Sequence, residues 1–580
     1  MVSKLAPSVL ALGVAALAVA GCAKPPAASA PADAADLVIR GGRIVTLDPA
    51  RPEASALAAR GGRIVAIGSE TDVTTLVGPA TRVIELGGDV AYPGFIEGHG
   101  HFAGIGQAAM ILKLAPHRTW DAIVAAVTEA AKTTPAGEWI VGRGWHQEKW
   151  DATPAGAVEG FPVHASLSAA TPDHPVVLFH ASGHAAFVNA RALELAGIDD
   201  ATPDPPGGEI LRDAAGHATG LLREDAEALV MTAFERAQAS RPAERIAADA
   251  RRALELADRE VLSKGITSFQ DAGVPYQELD LVAAMADEGA LGVRLWVMVR
   301  DSVENHRARM AEARRIGAFD GRLTVAAIKV SLDGALGSRG AWLLEPYSDL
   351  PTSTGLATTE PAVLEEVSRL ALEHRFQMCV HAIGDRANRE TLDVFGRVLG
   401  AAPDGKERRW RVEHAQHLNP AEIPRFAELG VVPSMQGIHC TSDAPFVVAR
   451  LGEQRAAEGA YVWRSLTDAG SRIVNGTDAP VEDVDPIASY HATVTRRLAD
   501  GTRFYPDQVL SRVEALESYT KNAAWAAFEE KEKGTLEVGK YADVTILDRD
   551  LLTVPEEEIP RARVVYTVVG GVVRYELSAE

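Results

Sequence analysis

Apolar and polar positions along this chain fall into three regimes. Residues 9–19 form an unbroken apolar run that follows a single charged side chain, Lys4, and closes on Ala20-Gly21-Cys22. The run is shorter than the roughly 20 residues a membrane-spanning helix needs, so residues 1–21 read as a signal peptide and not as folded structure. Short β-rich strings punctuated by Gly-Gly then occupy both ends of the remainder: 37–45 and 56–67 early, 541–547 and 564–574 late. Each early string predicts a hairpin closed by its Gly-Gly pair, and their shared Gly-Gly-Arg-Ile-Val reflects common turn chemistry more than a repeat. A small β-domain assembled from both ends would enclose everything between. From about Ala91 to Lys533, β-rich runs alternate with helical stretches such as 243–263 and 361–374. Alternation sustained over that length predicts an α/β barrel or an open parallel sheet. Several apolar runs, among them 176–179, 325–328 and 472–475, stop directly at a polar residue, as barrel strands do at their C-terminal ends.

The boundaries follow: signal peptide 1–21, a Pro- and Ala-rich flexible tether 22–35, an N-terminal β-domain segment 36–90, the α/β body 91–533, and a C-terminal β-domain segment 534–580. Pro/Gly-rich stretches between about 112 and 230 exceed what one βα unit needs and predict an insertion near the mouth of the body. The small residues ahead of Cys22 resemble a bacterial lipoprotein signal. That resemblance implies a diacylglyceryl group on the Cys22 thiol. Ala23 after the cysteine implies retention at the periplasmic face of the outer membrane. An ordinary secretory leader, with Cys22 incidental, is the alternative.

Composition narrows the chemistry. With 580 residues, 47% hydrophobic and 24% charged, the chain has the balance of a globular enzyme. Its formal charge of −21 offers no basic footprint for nucleic acid. Beyond Cys22 the cysteines are Cys379 and Cys440, too few for a disulfide framework and without zinc-site spacing. A metal would have to be held by His, Asp or Lys.

The strongest local motif is Pro93-Gly-Phe-Ile-Glu-Gly-His-Gly-His-Phe102. On a strand, His99 and His101 are two apart, share a face and can grip one cation; a surface histidine pair is the bland alternative. Four more elements follow in order: Ile328-Lys329-Val330, Val380-His381-Ala-Ile-Gly-Asp385, Arg411-Val-Glu-His414 and Asn475-Gly-Thr-Asp478. Each places one Lys, His, His or Asp at the end of an apolar run, in the order of successive barrel strands.

Together these motifs resemble the amidohydrolase superfamily. Further motifs resemble its N-substituted formamide deformylase-like branch (amidohydrolase family 3): Gly142-Arg-Gly-Trp145, Ser182-Gly-His184 with Asn189, Asp333-Gly-Ala-Leu-Gly-Ser338, Gln436 with His439, and Gly534 to Lys540 with Ala542-Asp543. The likeness spans nearly everything from Leu37 to Arg574. It implies a (β/α)8 TIM-type barrel with a small composite β-sandwich. It further implies a buried divalent metal, with zinc favoured by ligand type, held by His99 and His101 from the first strand, His381 and His414 from the fifth and sixth, and Asp478 from the eighth. Asp478 would also be the general base. In two-metal members a lysine on the fourth strand is carboxylated and bridges the ions, which gives Lys329 that role; simple pairing with Asp333 is the alternative. One or two ions are therefore open. Trp145, His184, Arg339 and His439 are candidates for the substrate site, with Trp150 as a further apolar wall, and His417 is a candidate support for the ligands. The sequence departs from the superfamily at Glu97-Gly98, where Asp-Ser or Asp-Thr is usual, and at His146, where relatives often carry Asp.

The resemblance implies hydrolysis of a non-peptide carbon–nitrogen bond in a small linear N-acyl or N-formyl compound, by water that the metal activates. Deamination of a cyclic amidine, or opening of a lactone or cyclic imide, uses the same ligands. A lipid-tethered binding protein with an inactive site is the non-enzyme alternative, but it requires a missing ligand. A homodimer is compatible with the sequence.

Overall fold

The computed structural model describes residues 33–147, 150–180, 185–205, 208–224 and 226–578. Its centre is a barrel of eight parallel strands, in order Phe95–Gly100, Ile266–Val274, Arg294–Val299, Leu323–Ser331, Gln377–Ala382, Arg411–His414, Val432–Gln436 and Val474–Gly476. Helices such as Ala243–Ser263 and Pro361–Glu373 alternate with the strands. Covering both faces explains why the strands read as apolar runs: every residue of the third strand, Arg-Leu-Trp-Val-Met-Val, is buried. Helix Ala243–Ser263 instead turns Ala253, Leu254, Ala257, Asp258, Val261 and Leu262 inward at spacings of three and four, which is helical periodicity.

The first and eighth strands meet at a seam closed by Asp478 N–H to the His99 carbonyl at 2.8 Å and His101 N–H to the Ala479 carbonyl at 2.7 Å. Gly98 permits this approach, because a Cβ there would lie 2.4 Å from the Asn475 carbonyl oxygen.

A composite eight-stranded sheet joins both ends of the chain: Leu37–Asp48, Arg51–Arg60, Arg63–Gly68, Arg82–Glu85 and Val90–Pro93 come from the start, Val544–Leu547, Val564–Val569 and Val572–Glu576 from the finish. A bridge between Arg63 and Tyr541 curls it so that its halves face each other across Leu37, Ile39, Leu57, Ile64, Val544, Ile546 and Val568. Two of the Gly-Gly pairs, 61–62 and 570–571, close hairpins as their sequence predicts. The first does not. Gly41-Gly42 lies inside one continuous strand, at the register break where that strand changes its parallel partner from Arg82–Glu85 to Val90–Pro93. Glycine suits a bulge as well as a turn, and here a Cβ on Gly42 would sit 2.5 Å from that of Leu86.

Between the helix after the first barrel strand, Phe102–Ala109, and helix Ala243–Ser263 lies a separate six-stranded sheet. Its strands are Leu112–Lys113, Ile140–Trp145, Val176–His180, Ala185–Val188, Gly208–Arg212 and Ala218–Glu224. Among the described residues no helix is long and apolar enough to cross a membrane. The expected signal peptide, Cys22 and most of the tether lie outside the described residues.

Candidate metal centre

The C-terminal end of the barrel gathers buried imidazoles around one carboxylate. His99, His414 and Asp478 each offer a ligand atom, and these atoms lie within 4.8 Å of one another. Asp478 Oδ1 is 3.4 Å from His99 Nε2 and 3.2 Å from His101 Nε2. It satisfies hydrogen-bond geometry with neither and remains without a donor. Consecutive side chains on a strand point to opposite faces, yet Glu413 and His414 both reach His99. A φ of 74° at His414 breaks the alternation, and Asp478 has a φ of 58° at the end of the eighth strand.

Electrostatics suits this set to a cation. Burial, followed by the neighbouring His381 and His99, pushes His414 far below the ordinary histidine range; burial and then Lys329 push His381 down to about 3. Both rings are neutral, as metal ligands must be. Burial would raise Asp478; a proton on the facing nitrogens of His101 and His99 outweighs it and holds the carboxyl well below its usual range, a part that a cation takes where those nitrogens offer lone pairs. The free nitrogens are set from behind. His99 Nδ1 is 2.5 Å from Glu413 Oε2, and His414 Nδ1 is 2.7 Å from Gln436 Oε1. Because a carboxylate and an amide oxygen only accept, both rings carry their proton on Nδ1 and keep the Nε2 lone pair for the centre. An unpartnered, buried, ionised carboxylate oxygen beside such lone pairs fits a divalent metal.

Of the other residues expected from the sequence, Lys329 is buried with Nζ 3.5 Å from His99 Nε2, and burial lowers its pKa toward the neutral amine. It does not pair with Asp333. That carboxylate accepts the backbone N–H groups of Trp342, Ile383 and Gly384 at 2.8, 3.0 and 2.8 Å. The His381 ring lies 4.5 Å from that of His414, but His381 stands outside the tight group of three, with Nε2 3.5 Å from Asp333 Oδ1. His439, in the first turn of helix Gly437–Leu451, stacks 6.3 Å from His414 and leaves a buried Nε2 unpartnered. His417 is buried behind the ligands against Tyr461, and burial depresses it to about 3.

Two substrate-site expectations land elsewhere. Trp145 is 1% exposed inside the core of the inserted sheet, stacked on Trp150, with its N–H donated to the Leu178 carbonyl at 2.8 Å. Both tryptophans therefore serve that core and line no open wall. The Arg339 guanidinium is engaged by Asp349 at 2.9 Å near the surface. His184 lies outside the described residues.

The groups that hold the ligands escape a reading of the sequence. Arg411, fully buried, places Nε 2.7 Å from Glu413 Oε1 and Nη2 2.7 Å from both Ser434 Oγ and the Gly98 carbonyl. Burial opposes ionisation of Glu413, but Arg411 and then His99 overcome it and keep the carboxyl below its usual range. Arg and Glu two apart in a four-residue buried strand were the available signal, because charges there must be paired. Glu97 accepts from Thr477 N–H at 2.5 Å and Thr477 Oγ1 at 3.1 Å, tying the first strand to the eighth. Asp271, at the end of the second strand, has one buried oxygen without a donor, and burial raises it to about 7.

Comparison with known proteins agrees with this geometry. Residues 82–575 match the model of the "Amidohydrolase family". The chain is 31% identical over 548 residues to Protein LONG AFTER FAR-RED 3 of Arabidopsis thaliana, covering 93% of this chain and 91% of that one. It is 28% identical over 554 residues to the N-substituted formamide deformylase of Arthrobacter pascens, covering 93% and 98%. Among solved structures, an uncharacterized metal-dependent hydrolase from Pyrococcus furiosus superposes with a TM-score of 0.71 at 26% identity, over 89% of this chain and all of that one. Barrel, ligand cluster and sequence similarity lead to one conclusion: the chain belongs to the amidohydrolase family, as a metal-dependent hydrolase.

Proposed function

We propose that the chain hydrolyses the carbon–nitrogen bond of a small linear N-acyl or N-formyl compound, with Asp478 as general base. The observation that carries the reading is the unpartnered, ionised Asp478 oxygen between the Nε2 atoms of His99 and His101. Similarity to a formamide deformylase supports the choice of bond. His99, His101, His381, His414 and Asp478 would hold the metal, zinc by ligand type, and Lys329 in its carboxylated form would bridge a second ion. A metal held there supplies Lewis acidity and brings a water's pKa toward about 7. Asp478 takes the proton of the attacking water at its free oxygen and returns it to the leaving nitrogen, so that the amine departs neutral. Glu413 and Gln436 hold two imidazoles in the required tautomer. His439, facing His414 with an open nitrogen, is placed to polarise the carbonyl.

The test is to strip the purified protein with a chelator and assay an N-formyl and N-acyl amine panel, recording amine, carboxylate and ammonia. Loss of amine release, restored by added zinc, is the expected result. Full activity in the stripped protein overturns the reading, and ammonia as the sole nitrogen product replaces it with deamination. The same proposal places the protein at the cell envelope through lipidated Cys22; Cys22→Ala should move it from the membrane to the soluble fraction.

A further inference from the structure

A second site lies beside the metal centre. At the ends of the third and fourth barrel strands a cavity of about 230 Å³ is lined by Arg300, Asp301, His306, Lys329, Ser331 and neighbouring residues. Lys329 is common to both places: it lines the cavity, and its Nζ is 3.5 Å from His99 Nε2.

Its polar groups offer donors with nothing to receive them. His306 is 1% exposed, and its Nε2 has no hydrogen-bond partner. Its Nδ1 is 3.0 Å from the hydroxyl of Tyr276, which is itself buried and, among the described residues, has no other hydrogen bond. Whichever group donates in this pair, one buried donor is left over: the phenol proton if the ring donates, or the ring proton on Nε2 if the hydroxyl donates. A buried donor left unmade costs about 1–3 kcal/mol, so it marks a place where an acceptor belongs.

Arg300 follows the third strand, exposed, and its guanidinium has no acceptor among the described residues. The adjacent Asp301, which also lines the cavity, forms no ion pair with it among the described residues and is held by neutral donors. Asp301 accepts from Ser302 N–H at 2.8 Å, Asn305 Nδ2 at 2.6 Å and Tyr276 N–H at 3.2 Å. A guanidinium without an acceptor among the described residues and the unmet donor of the His306–Tyr276 pair, beside a cavity of this size, suit a small acceptor of negative charge, and guanidinium matches carboxylate geometry in particular.

We propose that this cavity binds a small carboxylate through Arg300 and His306, and that the carboxylate is the substrate's own. The second half rests on the amide-hydrolysis reading, the first half does not. Arg300 thus stands in the substrate site where the sequence had suggested Arg339, whose guanidinium Asp349 already engages.

Two measurements on the metal-loaded protein decide the matter. In the first, propionate is titrated calorimetrically at fixed ionic strength. We expect one saturable site, weakened at least tenfold in Arg300→Met and in His306→Phe and largely kept in Arg300→Lys. Equal affinity in wild type and Arg300→Met, or no binding at all, overturns the site. In the second, kcat/KM is compared for N-formylglycine and N-formylglycinamide, which differ only in the carboxylate. The ratio should favour the acid and fall at least tenfold in Arg300→Met. Arg300-dependent propionate binding with a ratio near unity would assign the cavity to a free carboxylate and overturn the substrate half. If neither compound is cleaved, the amide reading fails while the titration still judges the cavity.

Discussion

The two ends of the barrel treat buried charge in opposite ways. At the N-terminal end, where the barrel rests on the composite β-sheet, Arg294 and Asp543 meet through two contacts of 2.8 and 3.1 Å, and Asp543 also accepts the Gly570 N–H at 2.7 Å. The remaining guanidinium nitrogen reaches the Asp320 and Gly321 carbonyls, and the Tyr541 ring covers the cation at 3.7 Å. Lys533, equally buried, donates to Ser268 Oγ at 2.6 Å. At the C-terminal end Asp478 Oδ1, Asp271 Oδ2, His381 Nε2 and His439 Nε2 are buried without partners, and His414 and Asp478 hold left-handed backbone. One end pairs its buried charges with one another and contributes stability; the other leaves several ligand-type groups without a partner, in reserve for a ligand. The difference identifies the working end of the barrel without reference to any relative.

The contrast breaks first at Asp478. Asp478→Asn should lower kcat by about 10²–10⁴-fold, the usual contribution of a positioned general base, while metal content measured by elemental analysis falls far less. A large drop in Tm with activity preserved would mean that the two ends had been assigned the wrong way round.

Asp543→Asn probes the other end and should do the reverse. Removing one member of a buried, hydrogen-bonded pair costs about 3–5 kcal/mol in denaturant unfolding, with kcat of the folded enzyme intact. The pair also sets a pH dependence. Burial raises Asp543, but Arg294 and the Gly570 N–H outweigh it, so the folded pKa lies below the unfolded one. Its stabilisation is therefore complete above the unfolded value of about 3.9 and is lost as pH falls through the folded value. Wild type should lose stability more steeply than Asp543→Asn below pH 4; parallel curves would remove the pair from the account.

How much of this could be read from the sequence depends on the range of the interaction. The barrel was legible because strands covered on both faces must be apolar throughout, and the helices between them keep their own period. Histidines two apart pointed to His99, and the ordered motifs to His414 and Asp478, the three whose ligand atoms the fold gathers. Local punctuation was less secure: Gly41-Gly42 carries the signal of a turn, and only the exchange of neighbouring strands makes it a bulge. Side-chain partnerships were hardest. Arg339 and Trp145 have the right chemistry for a substrate pocket, but Asp349 and the core around Leu178 claim them first. Glu413 stands beside His414 in sequence, yet it serves His99, 314 positions away, an assignment that only the closed barrel reveals.

Glu413 also offers the sharpest and smallest test, because it stands between the two kinds of environment. Like Asp543 it is buried and paired with an arginine; unlike Asp543 it passes that pairing on to a ligand through the 2.5 Å contact with His99 Nδ1. Gln in its place keeps the shape and a carbonyl acceptor but removes the charge that makes the imidazole a stronger donor to metal. Glu413→Gln should weaken zinc binding by about 10–100-fold in chelator competition, the usual cost of losing a group that orients a metal-bound histidine. The informative comparison is with the metal-free form. If the variant loses metal affinity while the stripped protein unfolds nearly as wild type does, Glu413 belongs to the working end. If the stripped protein is destabilised as severely as Asp543→Asn and zinc affinity is unchanged, then Arg411 and Glu413 form a structural pair, and the boundary between the two ends lies one layer closer to the metal.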